Sequence, residues 1–261
     1  MEKTKIEWCD STWNPVTGCL HGCEYCYARR YTKRFGKDLL DLSDFACRNE
    51  GLHLLDSKME STPYPYGFEP TFHRYRLNDY IKKTGKDIFV CSMGDLFGEW
   101  VPDRWIVDVM NACIKNPDNN YLFLTKNPGR YREHYIPRDF ATLWFGTTVT
   151  RKDEISRVYE MRSHRNKFVS IEPLFEDLGL KKGSRFFLFV DWVIIGAETG
   201  NRKGKTVPDR EWVENIVDAC RQEHVPVFMK ESLAPVWGGE LVQEFPEGLK
   251  ARQRGRMGQG G

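Results

Sequence analysis

Strand-like runs and amphipathic helical stretches alternate along this chain of 261 residues, and that alternation restricts the fold more than any other feature. The runs are Thr12–Thr17, Ile88–Cys91, Tyr121–Thr125, Leu143–Val149, Lys167–Ile171, Asp191–Gly196 and Val225–Met229. Each is short and bounded by Gly, Pro, Asn or charged residues, as strands are. Between them, Trp105, Val109, Cys113 and Ile106, Met110, Ile114 recur at helical spacing after a Pro102–Asp103 start. Ile155, Val158, Tyr159 and Arg162 predict a second helix. Trp212, Val213, Ile216, Val217 and Cys220 predict a third, with Asp209 as its N-cap. Strands alternating with helices predict a parallel sheet covered by helices, here a partial (β/α)6-like TIM barrel. The length suits one such domain over residues 1–249, with 250–261 a Gly-rich, basic, flexible tail.

One interval breaks the rhythm. Tyr27–Phe35 continues as a helix, but Ser57–Thr71 holds three prolines and reads as a loop. Residues from about 36 to 86 are therefore expected to be a helical and loop insertion, not a separate domain. No run of about 18 apolar residues occurs, so no membrane span is expected. The net charge of +2 gives no strong pull toward nucleic acid or membrane. The opening MEKTKIEWCD lacks the apolar region of a signal peptide, which predicts a cytoplasmic setting where thiols stay reduced.

The eight cysteines then need a reading other than disulfides. Three of them, Cys19, Cys23 and Cys26, form a C-x3-C-x2-C cluster able to wrap one soft metal centre. A structural zinc site is the plainer reading, with His21 or a distant residue as fourth ligand. Zinc sites usually come as two paired halves, and no second half is present. Three thiolates without a fourth ligand favour a [4Fe–4S] cluster with one open iron.

The C-x3-C-x-aromatic-C pattern, placed after a first strand, resembles the signature of the radical S-adenosylmethionine superfamily. The resemblance implies that Cys19, Cys23 and Cys26 hold three irons and that Tyr25 packs near the adenine. It implies that S-adenosylmethionine chelates the fourth iron and is cleaved reductively to give a 5′-deoxyadenosyl radical. An external electron donor of the flavodoxin or ferredoxin type is implied with it. Further blocks resemble a phage and prophage protein family of unknown function. They are Ile6-Glu7-Trp8, Ser11–Cys19, Ser92–Phe97, Leu124–Pro128 with Arg130, Ser170–Leu174, Ile195–Gly200 and Phe228–Lys230. The superfamily's Gly-Gly-Glu after the second strand is replaced here by Ser92-Met93-Gly94-Asp95. By that resemblance these four contact the cofactor, Asp95 accepting from its ammonium.

Catalytic groups of barrels sit at the C-terminal ends of strands. Cys19, Asp95, Lys126, Thr147 with Thr148, Glu172, Glu198 and Lys230 occupy such positions one strand after another. Lys126, Glu172 and Lys230 are candidates for acting on substrate. Thr148, Gly196 and Glu198 are candidates for the cofactor site. Gly94, Gly146 and Gly196 either admit a cofactor or make turns. The run Asn201–Lys205 lacks the ending of a phosphate-binding loop. A nucleotide or DNA base, as in hypermodification of phage nucleic acid, is the substrate the phage resemblance favours, and a small metabolite or peptide is a close rival. A cluster protein that only transfers electrons, and a zinc-stabilised nucleic-acid-binding module, are the readings without S-adenosylmethionine chemistry. The oligomeric state is open.

Overall fold

The computed structural model describes residues 4–35, 51–59, 62–79, 82–131, 140–161 and 165–250. In chain order the elements are β1 (Ser11–Trp13), β2 (Val16–Thr17), α1 (Tyr27–Phe35), β3 (His53–Leu55), β4 (Thr71–His73) and β5 (Asp87–Val90). Next come α2 (Asp103–Ile114), β6 (Asn120–Thr125), β7 (Leu143–Thr148), α3 (Ser156–Tyr159) and β8 (Lys167–Ile171). The chain continues with β9 (Trp192–Ile195), α4 (Arg210–Gln222), β10 (Val227–Met229), α5 (Ala234–Trp237) and α6 (Glu247–Lys250).

Seven strands form one sheet in the order β1-β5-β6-β7-β8-β9-β10, and every pair is parallel. Each strand adds beside its predecessor, so right-handed crossovers place the crossover helices α2 and α4 on one face. The result is an open, singly wound barrel wall. Its seven strands answer the seven apolar runs of the sequence, Val227–Met229 closing the series in what is otherwise the expected (β/α)6-like partial barrel.

Strand periodicity sorts the core into two faces. Ile88, Val90, Tyr121, Phe123, Phe145, Val169, Val193 and Val227 pack outward with Ile106, Val109, Met110 of α2 and Val213, Ile216, Val217 of α4. Their neighbours in sequence, Phe89, Leu122, Trp144, Phe168, Trp192, Ile194 and Phe228, pack inward with Trp8, Phe245 and Leu249. Both faces are buried, as parallel sheets require. The inner floor is largely aromatic: Trp192 is 0% exposed and meets Trp8, Phe168, Phe228 and Phe245 ring to ring. Its indole N–H donates to Glu244 O at 2.9 Å. Burying each such ring stabilises the fold by about 1.5–3 kcal/mol.

Several expectations are corrected. The run Thr12–Thr17 breaks at Asn14-Pro15, where Pro15 has no N–H for a ladder. Beyond it, β2 leaves the wall and pairs antiparallel with β4, which pairs with β3 in a second, three-stranded sheet. Where it is described, the insertion is therefore strand and loop with a 3-10 helix at Arg74–Asn78; residues 36–50, where a helix was expected, lie outside the described residues. Phe72 of β4 packs against Trp105 of α2, with ring centroids 5.3 Å apart, so the insertion shares the barrel's outer core. The helix expected after Thr150 is one turn, preceded by a 3-10 turn at Lys152–Glu154, and Arg162 lies outside the described residues. Asp209 does stand at the N-cap of α4, but its side chain makes no capping bond. The tail from residue 251 is also outside the described residues.

Candidate active site

The three clustered cysteines lie on the loop between β2 and α1, at the C-terminal rim of the wall. Gly18 opens this loop at φ +84, and a Cβ there would sit 2.2 Å from Glu69 O. Only glycine lets the loop lie this flat against the insertion, where the Cys19 N–H donates to Phe68 O at 3.2 Å. The other side of the loop rests on the segment after β5. Gly18 bridges Gly94, and a Cβ on Gly94 would meet Gly18 O at 2.8 Å. The close approach foreseen at Gly94 is thus made by the cysteine loop's own backbone. Asn14, given no role of its own within the Ser11–Cys19 block, accepts from the Ser92 hydroxyl at 3.1 Å and the Met93 N–H at 2.9 Å.

Asp95 is the hub of this contact. It is buried, and its Oδ2 accepts from His21 Nε2 at 2.8 Å, Thr125 Oγ1 at 2.9 Å and Lys126 N–H at 3.2 Å. Its Oδ1 accepts from Phe97 N–H at 3.0 Å. A carboxylate offers about four acceptor sites, so the protein's own donors already take them. His21 lies edge-on to Trp100, centroids 4.8 Å apart, and faces Asp95 as a loop residue. Arg29, in the first turn of α1, turns inward. It donates to Cys19 O at 3.0 Å and stacks 4.9 Å from the Phe68 ring centroid.

The inner-face periodicity carries on past the aromatic floor to the rim. Leu122 and Leu124 lead to Lys126, Trp144 and Gly146 to Thr148, Phe168 and Ser170 to Glu172, Ile194 to Gly196, and Phe228 to Lys230. The structure gathers these residues in two places. Lys126 Nζ donates to the Tyr25 hydroxyl, with the Cys23 thiol also beside it. Burial works against the Lys126 ammonium, but Tyr25 and Cys23 hold its pKa above the ordinary value. Tyr25 itself packs edge-on against Phe175 at 5.3 Å. In the second place, Lys230 Nζ donates to Glu172 Oε1 at 2.5 Å. Both side chains are only partly exposed. Glu7, named in the sequence only as part of the Ile6-Glu7-Trp8 block and given no role there, joins them; burial raises its carboxyl pKa against the opposing pull of Lys230. The Tyr27 hydroxyl donates to Ser92 O at 2.5 Å nearby.

The glycines of the wall admit protein, not ligand. A Cβ on Gly146 would lie 2.4 Å from the Phe168 ring, and one on Gly196 would lie 3.1 Å from the Glu172 carboxyl carbon. Thr148 is buried, and its carbonyl accepts from Arg157 at 3.0 Å. Glu198 is not gathered with the rim charges. Its carboxylate is clamped by Arg202 at 2.6 and 2.7 Å, which holds its pKa below the usual range, and it accepts from Thr206 N–H at 3.3 Å. That pair staples the loop holding Asn201–Lys205.

The donor set fits an iron–sulfur cluster. Three thiols on one loop are soft ligands, and the imidazole of that loop, His21, is engaged by Asp95 through Nε2. Burial pushes the Cys19 thiol up to about 12, with Asp95 adding to it. Among the described residues no three His, Cys, Asp or Glu side chains already converge as a site for a single metal ion. The described cysteines are free of disulfides.

These features define an open parallel barrel with three thiols and a set of charged side chains at its rim. The sequence matches, over residues 3–260, the family described as "Protein of unknown function (DUF5131)", and the chain belongs to that family. No curated protein matches it. Among solved structures it is similar to a mutant spore photoproduct lyase with bound AdoMet and dinucleoside spore photoproduct. That match has 11% identity and a TM-score of 0.44, and it covers 99% of this chain and 63% of that one. A second mutant of the same lyase matches at 10% identity with a TM-score of 0.48, covering 87% of this chain and 78% of that one. The chain thus spans under two thirds of the length of the first of these. Among the described residues no helix is long and apolar enough to cross a membrane.

Proposed function

We propose that this protein is a radical S-adenosylmethionine enzyme of the cytoplasm, with Cys19, Cys23 and Cys26 holding a [4Fe–4S] cluster. The observation that carries the reading is the placement of three thiols on one loop at the C-terminal rim of a singly wound parallel barrel, beside Lys126, Thr148, Glu172 and Lys230. When bound, the cluster and S-adenosylmethionine supply reductive cleavage of the cofactor and hydrogen abstraction from substrate. The chain supplies position and exclusion of water. Gly18, Gly94, Asp95 and Arg29 fix the cysteine loop against the wall. The aromatic floor under the rim keeps solvent from entering behind the reacting groups.

The rim charges divide by location. Lys126 belongs with Tyr25 and the cofactor end, not with the substrate. Ser92, Met93, Thr148 and Gly196 remain candidates for the cofactor site. Glu172 and Lys230 are left as the pair that meets a polar substrate. A nucleotide or nucleic-acid base, carrying both donors and acceptors, is the substrate we favour. The electron comes from an external flavodoxin- or ferredoxin-type donor.

Anaerobic reconstitution tests the reading. About four irons per chain and a brown chromophore are expected. Cys19→Ala, Cys23→Ala and Cys26→Ala each abolish both, whereas Cys113→Ala and Cys220→Ala, buried in the outer core, retain them. Stoichiometric zinc without iron in protein made under iron-replete anaerobic conditions overturns it.

A further inference from the structure

Three large aromatic side chains stand exposed on one face of α1: Tyr27, Tyr31 and Phe35 are 49%, 46% and 51% accessible. Their spacing stacks them one turn apart, rising about 6 Å per step. The helix buries Ala28 and Thr32 instead, so the faces of these rings are not its packing surface on the barrel. Tyr31 and Phe35 touch, with centroids 4.6 Å apart, and Tyr31 meets Tyr64 edge-on at 6.0 Å. The Arg34 guanidinium lies 5.3 Å from the Phe35 centroid. Lys33 and Arg34 are exposed, and Arg30 donates to Thr199 O at 3.1 Å on the near side. The helix, YARRYTKRF, contains no acidic residue. Its first residue follows Cys26 directly, and the Tyr27 hydroxyl is tied to Ser92 O at the rim.

Flat rings interleaved with cations fit unpaired bases on a phosphate chain. A duplex hides the faces of its bases, and a net charge of +2 offers little for duplex backbone alone. We propose that this face of α1 seats a single-stranded nucleic-acid segment. Bases stack on Tyr31 and Phe35, a phosphate meets Arg34, and a base at the Tyr27 end reaches the rim beside Cys26. The inference rests on the function proposed above and narrows its substrate to a base within a single strand.

Fluorescence anisotropy on the full, cluster-loaded chain tests it, without S-adenosylmethionine or reductant, so that binding is read apart from turnover. The probes are a labelled oligothymidylate of about twelve nucleotides and a duplex of equal length. The single strand is expected to bind more tightly. Tyr31→Ala and Phe35→Ala each weaken it by about tenfold, and Tyr31→Phe restores most of the loss. Arg34→Gln reduces the dependence on salt by about one phosphate contact. Iron content and circular dichroism stay unchanged in all four variants, since these side chains are exposed. Unchanged affinity in Tyr31→Ala and Phe35→Ala overturns the proposal, as does equal or tighter duplex binding, or no binding by the wild type. Loss of self-association in these variants, with oligonucleotide affinity intact, overturns it also. The iron assay does not involve oligonucleotide, so failure of the cluster reading is seen separately.

Discussion

Asp95 shows how a single residue's role changes once its partners are known. Its place after a strand made it a candidate for a cofactor ammonium, yet four protein donors already surround it. A cofactor ammonium would have to displace one of them. Asp95→Ala leaves Thr125 Oγ1 and two buried N–H groups without an acceptor, at a cost on the order of 3 kcal/mol. The urea midpoint is expected to fall accordingly, and iron loading to fall with it, because His21 no longer anchors the loop. Full stability and full iron in Asp95→Ala would return Asp95 to the cofactor. The cysteines were legible in sequence because ligand spacing on one loop is local. Asn14, Glu7 and the inward turn of Arg29 were not, because their partners lie far along the chain.

At the scale of elements, the small sheet beside the cysteine loop has its own pH dependence. His73 of β4 is fully buried, with Nε2 2.9 Å from Thr17 Oγ1 of β2. Burial, helped by Arg76, pushes its pKa down from the usual 6.5 to about 3. Between those values the unfolded chain binds the proton and the folded chain does not. Stability is therefore fully present above about 6.5 and falls as the pH drops toward 3, by up to about 1.4 kcal/mol per unit. Amide exchange in β2 and β4 is expected to speed up more between pH 7 and 4.5 than exchange in β6 and β7, after correction for the intrinsic rate. His73→Gln should remove the difference, and an equal response in both sheets would count against it. Apart from β1, which stops short at Asn14-Pro15, the barrel strands were readable within a residue or two from their apolar runs. The short β2, β3 and β4 were not, since two or three residues carry no periodicity.

For the molecule as a whole, the inner floor joins the two ends of the chain. Trp8 packs 4.7 Å from Phe89 and 6.3 Å from Trp192, ring to ring, while Phe245 and Leu249 close the same space from the other end. Trp8→Ala opens a cavity that these strands cannot refill, at a cost of about 3–5 kcal/mol. A single cooperative urea transition with a lowered midpoint is expected. A separate early transition, with the rest of the wall unmoved, would show that the floor is not part of one core.

The sequence by itself determined the alternation of strands and helices, hence a parallel wall with its polar groups after the strands, because periodicity and turn residues act over a few neighbours. It also determined the three-thiol loop. Only the tertiary structure decided which rim residues meet. Lys126 goes to Tyr25, Glu172 to Lys230, and Glu198 to its own loop's Arg202. The physical reason is that inner-face periodicity and strand register set those neighbours. Register in turn depends on side chains such as Phe168, whose ring fits only because Gly146 on the adjacent strand has no Cβ.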